Sequence, residues 1–162
     1  MDTREKILSR DGLQGVLSEH RRAGREIVFA NGVFDLLHVG HVRYLQAARA
    51  EGDILVVGVN SDASTRKLKG DGRPILTERA RAALVASLAA VNYVVIFDDP
   101  DVKSLLNELQ PHVHAKGTDY TAESLPERDV AKARGIRIAI VGDPKEHSTR
   151  DLLARLRLRR DG

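Results

Sequence analysis

An open, parallel α/β sheet in one domain is the fold that this sequence predicts, and three observations predict it. Short apolar runs recur along the chain, segments with helical spacing separate them, and no linker, internal repeat or low-complexity tract divides the 162 residues. The runs are Ile27–Ala30, Ile54–Val59, Tyr93–Phe97, His112–Ala115 and Ile136–Val141. Strands covered by helices on both faces read as such near-continuous apolar stretches. Between them Val42–Ala50, Glu78–Ala90, Asp101–Leu109 and Pro126–Arg134 carry the helical period, and a last helix begins at Ser148. Ahead of the first strand, Arg4–Arg22 shows it through Ile7, Leu8, Leu13, Val16 and Leu17. Strands alternating with helices make βαβ units, whose right-handed crossovers put helices on both faces of a sheet of about five strands. Residues 1–24 are read as an N-terminal helical extension and residues 25–162 as the main domain.

Composition narrows the function classes. A chain of this length buries about 70% of its surface on folding, so it needs no covalent staples. It has no cysteine, which excludes a disulfide framework and a cysteine zinc site. No apolar run approaches the roughly 20 residues of a membrane span. The N-terminal Met1-Asp2-Thr3-Arg4-Glu5-Lys6 has mixed charge and no apolar core, so a secretory signal is not expected there. A cytoplasmic location without a membrane partner follows as the expectation. The net charge is +3, from 26 Lys and Arg against 23 Asp and Glu. Much of the surplus is Arg150, Arg155, Arg157, Arg159 and Arg160, favourable charge for a helix C-terminus. Aromatic residues make up only 4%, little material for base stacking, so anionic small molecules are expected partners and nucleic acid is not.

In open α/β sheets ligands bind beyond the C-terminal strand ends. The first loop there, Asn31-Gly32-Val33-Phe34-Asp35-Leu36-Leu37-His38-Val39-Gly40-His41, runs from a strand into a helix. His38 and His41 would share one face of the first helical turn, and Gly40 lets a ligand approach the backbone. A helix N-terminus already suits phosphate, and two imidazoles there can donate to phosphoryl oxygens whose charge grows in a transition state. The alternative is a pair of helix-capping histidines. The chain has no G-x-x-x-x-G-K-[ST], no G-x-G-x-x-G at a strand end and no H-E-x-x-H.

These residues resemble the HxGH nucleotidyltransferase superfamily. The match continues through Val59-Asn60-Ser61-Asp62, Leu68-Lys69-Gly70-Asp71-Gly72-Arg73-Pro74, Lys116-Gly117-Thr118-Asp119-Tyr120 and His147-Ser148-Thr149. It is most similar to the adenylyltransferase domain of bacterial ADP-heptose synthesis. The resemblance implies a Rossmann-like nucleotidyltransferase domain over 25–162. His38 and His41 would bind the nucleotide phosphates and stabilise a pentacoordinate α-phosphorus. Asp35 would lie near the triphosphate and its Mg²⁺, the implied cofactor, which the triphosphate carries rather than a side-chain nest. Lys69 would reach over the phosphates from a mobile loop, and Arg81 would contact acceptor or phosphates. Asn31, Gly32, Phe34, Gly40, Lys116, Gly117, Asp119, Ser148 and Thr149 are the implied nucleotide contacts. Asn60, Asp62, Arg73 and Tyr120 are the implied acceptor contacts. Each has a plainer alternative: Lys69 and Arg73 as solvated charges, Arg81 as a surface helix charge, Ser148 as an N-cap, Asp62 as a cap. His112 and His114 read as structural.

Two departures bear on the nucleotide. Arg150 follows Ser148-Thr149 where relatives carry Thr or Ser, and Glu146 replaces a usual Gly. The Arg-Thr-x-Gly lead of glycerol- and choline-phosphate cytidylyltransferases is absent from Gly142–His147, which favours ATP over CTP. The expected reaction moves AMP from ATP to D-glycero-β-D-manno-heptose 1-phosphate. A cytidylyltransferase for glycerol 3-phosphate and a non-catalytic nucleotide-binding module are the alternatives. Family likeness further implies a homodimer. A length of 162 residues suggests a transferase supplied by a separate sugar kinase.

Overall fold

In the computed structural model, which describes residues 1–144 and 148–159, five parallel strands form one sheet. They are β1 (Ile27–Gly32), β2 (Ile54–Asn60), β3 (Tyr93–Phe97), β4 (Val113–Lys116) and β5 (Arg137–Ile140), ordered β3-β2-β1-β4-β5. The chain builds outward from β1 through β2 to β3, then crosses back to place β4 on the other side of β1. Strand order therefore reverses between β1 and β4, and a crevice opens above their C-terminal ends. The Rossmann-like α/β fold expected from the sequence is the fold observed.

Two apolar layers hold the sheet. On one face α3 (Val39–Arg49) and α5 (Glu78–Ala86) bury Leu45, Ala48, Ala82 and Val85 against Val28, Ala30, Val57 and Val59. On the other, α2 (Arg10–Arg22) and α6 (Lys103–Leu109) bury Leu13, Leu17, Leu105 and Leu106 against Ile27, Phe29, Val56 and Val95. These alternate residues of β1 and β2 point to opposite faces, as the period of a strand requires. Residues 1–24 take part in this packing. Beyond α1 (Thr3–Lys6), Ile7 bridges to Val94 in parallel and Leu8 N–H donates to the Val94 carbonyl at 2.9 Å. No helix among the described residues is long and apolar enough to cross a membrane.

One segment departs from expectation. The stretch after β2, where apolar spacing predicts no helix, begins with helix α4 (Asp62–Lys69). Ser61 caps it by accepting from Ser64 N–H at 3.0 Å, Asp62 sits in its first turn, and Arg66, Lys67 and Lys69 in its last. Charges thus complement the helix dipole, a signal masked by the density of polar residues. Gly70, at φ 90°, ends the helix in a backbone conformation that side chains oppose. Lys69 is consequently the last residue of a helix, and only 70–77 remain as loop.

Candidate active site

A cleft of about 900 Å³ lies at the switch point, within the usual range for small-molecule sites. Its walls come from five places: the loop after β1 with the start of α3, the end of α4 with the following loop, the loop after β4, the segment after β5, and the start of α8 (Thr149–Leu158). Of the residues singled out from the sequence, Asn31, Gly32, Phe34, Asp35, His38, Gly40, His41, Asn60, Lys69, Arg73, Lys116, Gly117, Asp119, Tyr120, Ser148 and Thr149 line it. Asp62 and Arg81 do not.

His38 is the N-cap of α3, its Nδ1 accepting from Gly40 N–H at 3.1 Å. In the neutral ring the proton then belongs to Nε2, the nitrogen turned away from the helix. The His41 ring stacks on His38 with centroids 3.8 Å apart and 24° between planes. Phe34 meets the His41 ring edge-on at 5.2 Å. To do so Phe34 adopts φ 52°, a left-handed conformation that costs about 1–2 kcal/mol for a non-glycine residue. Gly32 makes room for it: a Cβ there would stand 3.0 Å from the Phe34 ring. Both histidines line the cleft, but only His38 caps the helix, so the capping alternative holds for one of the two.

Asp35 is buried and its carboxylate is spoken for. Arg73 Nε donates to it at 2.6 Å, Ile75 N–H at 2.8 Å and Leu76 N–H at 3.0 Å. Burial alone would push this carboxyl up. The Leu76 and Ile75 N–H groups and the Arg73 guanidinium outweigh burial and hold it below the usual range. Asp35 therefore ties the 73–76 loop to the signature loop and aims Arg73. Its stabilising effect is present above the unfolded carboxyl value near about 3.9 and is lost as pH falls through the lower folded value. Asp35→Asn should cost roughly 2–4 kcal/mol at pH 7, by weakening charge-assisted bonds inside a buried site. The gap between variant and wild type should narrow as pH drops below about 4, where the unfolded carboxyl protonates, and close below the lower folded value. Urea unfolding at several pH values measures it, and a gap that stayed constant with pH would refute this account.

Arg81 is the largest fully buried side chain. Its guanidinium donates to the carbonyls of Leu76 at 3.0 Å, Val33 at 2.7 Å and Asn60 at 2.7 Å, and to Asp62 at 2.8 Å. It is wholly buried and does not line the cleft, and it links the signature loop, the end of β2 and the start of α4. Asp62 is accounted for in the same way, as the partner of Arg81. Asn60 donates its amide to Ser64 Oγ at 3.1 Å.

Ser148 caps α8, accepting from Asp151 N–H at 3.1 Å, and Thr149 Oγ1 reaches the Leu36 carbonyl at 3.4 Å. A second helix N-terminus thereby joins that of α3 at the cleft. Arg150, grouped by sequence with helix-end charges, sits in the first turn of α8 and lines the cleft. Arg155 and Arg157 occupy the last turn as expected. Glu146, His147 and Arg160 lie outside the described residues. Lys116 is buried at the end of β4, with Nζ 4.5 Å from the Tyr120 ring centre and 3.6 Å from Glu127 Oε1. Burial lowers its pKa against the opposing pull of Glu127.

Sequence reasoning passed over several wall residues. Arg43 pairs with Asp143 at 3.0 Å across the mouth, and Thr118 Oγ1 donates to the Asp143 carbonyl at 2.9 Å. Tyr44 is half-buried, with its hydroxyl donating to the Ala115 carbonyl at 2.7 Å. Its place three residues after His41 is the one signal that would have put it on the histidine face.

Among the described residues no group of three acidic, imidazole or thiol side chains could hold a metal ion. With the Asp35 oxygens engaged, the side chains suit a magnesium ion that arrives on phosphate oxygens and water.

Comparison with known proteins agrees with this geometry. A family model described as cytidylyltransferase-like matches residues 29–149. The bifunctional protein HldE of Geobacter metallireducens is 45% identical over 155 residues, covering 96% of this chain and 32% of that protein. The HldE of Syntrophotalea carbinolica is 45% identical over 151 residues, 93% of this chain and 31% of its own. The chain spans about a third of the length of these curated relatives. A crystal structure of the lipopolysaccharide core biosynthesis protein from Thermoplasma volcanium GSS1 superposes with a TM-score of 0.64 at 30% identity. It covers 75% of this chain and 100% of that one.

Proposed function

The chain belongs to the cytidylyltransferase-like family, and we propose that it transfers AMP from ATP to D-glycero-β-D-manno-heptose 1-phosphate, releasing pyrophosphate and forming ADP-heptose. The observation that carries this reading is the stacked His38–His41 pair at the N-terminus of α3, in one cleft with Lys69, Arg73 and Lys116. Such a site offers fixed donors and positive charge but no evident nucleophile or base.

The reaction asks for nothing else. A phosphate oxygen of the sugar 1-phosphate attacks the α-phosphorus of ATP in line. A new oxygen–phosphorus bond forms as the bond from the α-phosphorus to the bridging oxygen breaks, and that electron pair leaves with pyrophosphate. The attacking oxygen is already ionised near neutral pH, so no proton must be removed. Catalysis reduces to positioning and to stabilising charge on the α-phosphoryl oxygens. His38 Nε2–H and the His41 ring face that charge, and the amides of the α3 and α8 N-termini add to it. Lys69, Arg73 and Lys116 bind the phosphates. Magnesium, when bound to the triphosphate, neutralises charge on the leaving group.

ATP is favoured over CTP by the resemblance to the heptose adenylyltransferases, and the name of the Thermoplasma neighbour places that relative in lipopolysaccharide core synthesis. A sugar kinase would supply the phosphorylated acceptor. A homodimer in the cytoplasm completes the proposal. Pyrophosphate release tests it, with ATP, CTP, GTP and UTP each offered heptose 1-phosphate or glycerol 3-phosphate under Mg²⁺. Turnover is expected for ATP with heptose 1-phosphate. Turnover confined to CTP with glycerol 3-phosphate would replace the reading by a cytidylyltransferase, and none with any pair would leave a binding module.

A further inference from the structure

Behind the cleft floor runs a buried polar chain of which the proposed reaction uses only Lys116. His114 on β4 is wholly buried, with Nε2 3.1 Å from Asn31 Oδ1 and Nδ1 3.7 Å from Glu127 Oε1. Lys116, two residues along β4, places Nζ 3.6 Å from the same Glu127 oxygen. Glu127 is 4% exposed and precedes α7 (Arg128–Arg134), yet its side chain caps nothing there. His114 Nδ1 and Glu127 Oε1 are both buried without a hydrogen bond, and they face each other. Burial, and after it the Lys116 ammonium, hold the His114 pKa down to about 3, so the ring is neutral near pH 7 with one N–H.

The position of that N–H decides how Asn31 is turned. On Nε2 it would donate to the Asn31 carbonyl, leaving the Nδ1 lone pair against a carboxylate with no proton between them. On Nδ1 it points at Glu127 and leaves Nε2 as an acceptor, which Asn31 satisfies by a half-turn of its amide. The second arrangement points a donor at the orphaned carboxylate oxygen across 3.7 Å, a gap that a small side-chain shift closes. Buried polar atoms are rarely left unpaired, which favours it. It also fixes which end of the amide Asn31 has left for the cleft it lines.

We infer that Glu127, through an Nδ1–H tautomer of His114, locks the Asn31 amide with its carbonyl oxygen toward the cleft. This point at the end of β1 then accepts a hydrogen bond from a hydroxyl or amino group of a substrate and turns phosphate away. Glu127 and His114 are positioning residues in this scheme. The substrate contact rests on the proposed reaction, whereas the tautomer does not.

Long-range ¹H–¹⁵N correlation spectra of the wild-type protein read the His114 tautomer directly. Nδ1–H is expected, and Nε2–H overturns the inference. Glu127→Gln keeps an acceptor and should keep both the tautomer and the KM values, within about threefold. Glu127→Leu removes the acceptor and should move the proton to Nε2. It should then raise one KM about tenfold with kcat within about threefold, the pattern of lost uniform binding. A rise for ATP places the donor on the nucleotide, and a rise for the sugar phosphate places it on the acceptor. Equal rises in both variants would trace the effect to the lost counter-ion of Lys116 and overturn the relay. If Glu127→Leu does not fold, the wild-type and Glu127→Gln spectra decide. An inactive wild-type protein would refute the proposed reaction, and those spectra would still judge the relay.

Discussion

Replacing His41 by alanine is expected to lower turnover by about 10²–10³-fold while costing only about 1 kcal/mol of stability. The ring is half-buried at the cleft wall and belongs to the first turn of α3. The helix start does not depend on it, because the capping bond runs from Gly40 N–H to His38. In the proposed mechanism His41 contributes a donor aimed at charge that exists fully only in the transition state, so kcat should fall more than KM rises. The 3.8 Å stack adds a second expectation. Each ring packs against the other, so removing either loosens the aim of its neighbour while the Gly40–His38 cap stays in place. The double variant His38→Ala, His41→Ala should therefore lose far less than the product of the two single losses. Pyrophosphate release read beside thermal unfolding checks both points. Unchanged turnover in His41→Ala would end the proposed mechanism, and strictly multiplicative losses would show two independent donors.

The histidine pair was legible because its signal is local: two imidazoles and a glycine at the point where a strand gives way to a helix. The strands were legible for a similar reason, since β2 is buried at every position and reads as one apolar run. Helix α4 was not, because its buried residues are Ser64 and Thr65, its one large apolar residue, Leu68, is exposed, and its other side chains are charged or small. An apolar stripe is what helical periodicity detects, and α4 has none. Asp35 and Arg73 were assigned to the cleft correctly in place, but their bond to each other spans 38 residues of sequence. No spacing rule carries such a pairing. The Asn31–His114–Glu127 chain was hidden by the same distance. His114 on an apolar strand reads as a core histidine, which it is, and nothing in the sequence shows that a carboxylate from another element is buried beside it.

Arg81 separates the two kinds of legibility most sharply, and its removal is expected to unfold the protein far more readily than it disturbs any phosphate contact. The resemblance assigns this arginine to the acceptor or the phosphates, while the structure buries it completely. Four acceptors converge on it: Val33 in the signature loop, Asn60 at the end of β2, Asp62 at the start of α4 and Leu76 ahead of α5. Arg81→Ala would leave three carbonyls without their donor and Asp62 without its ion-pair partner, in a space that water fills poorly. Losses of this kind cost about 3–5 kcal/mol when one side of a buried charged network is removed. In a domain of this size that lowers the midpoint of thermal unfolding by about 10 °C. Arg81→Lys should recover little, because one ammonium cannot reproduce a planar fork that reaches four acceptors at 2.7–3.0 Å. Activity should fall with the folded fraction and recover at low temperature, where the folded form predominates. The opposite result, an Arg81→Ala protein as stable as the wild type with a KM raised severalfold for ATP or the sugar phosphate, would return Arg81 to the cleft. Its four bonds would then have to break when substrate binds.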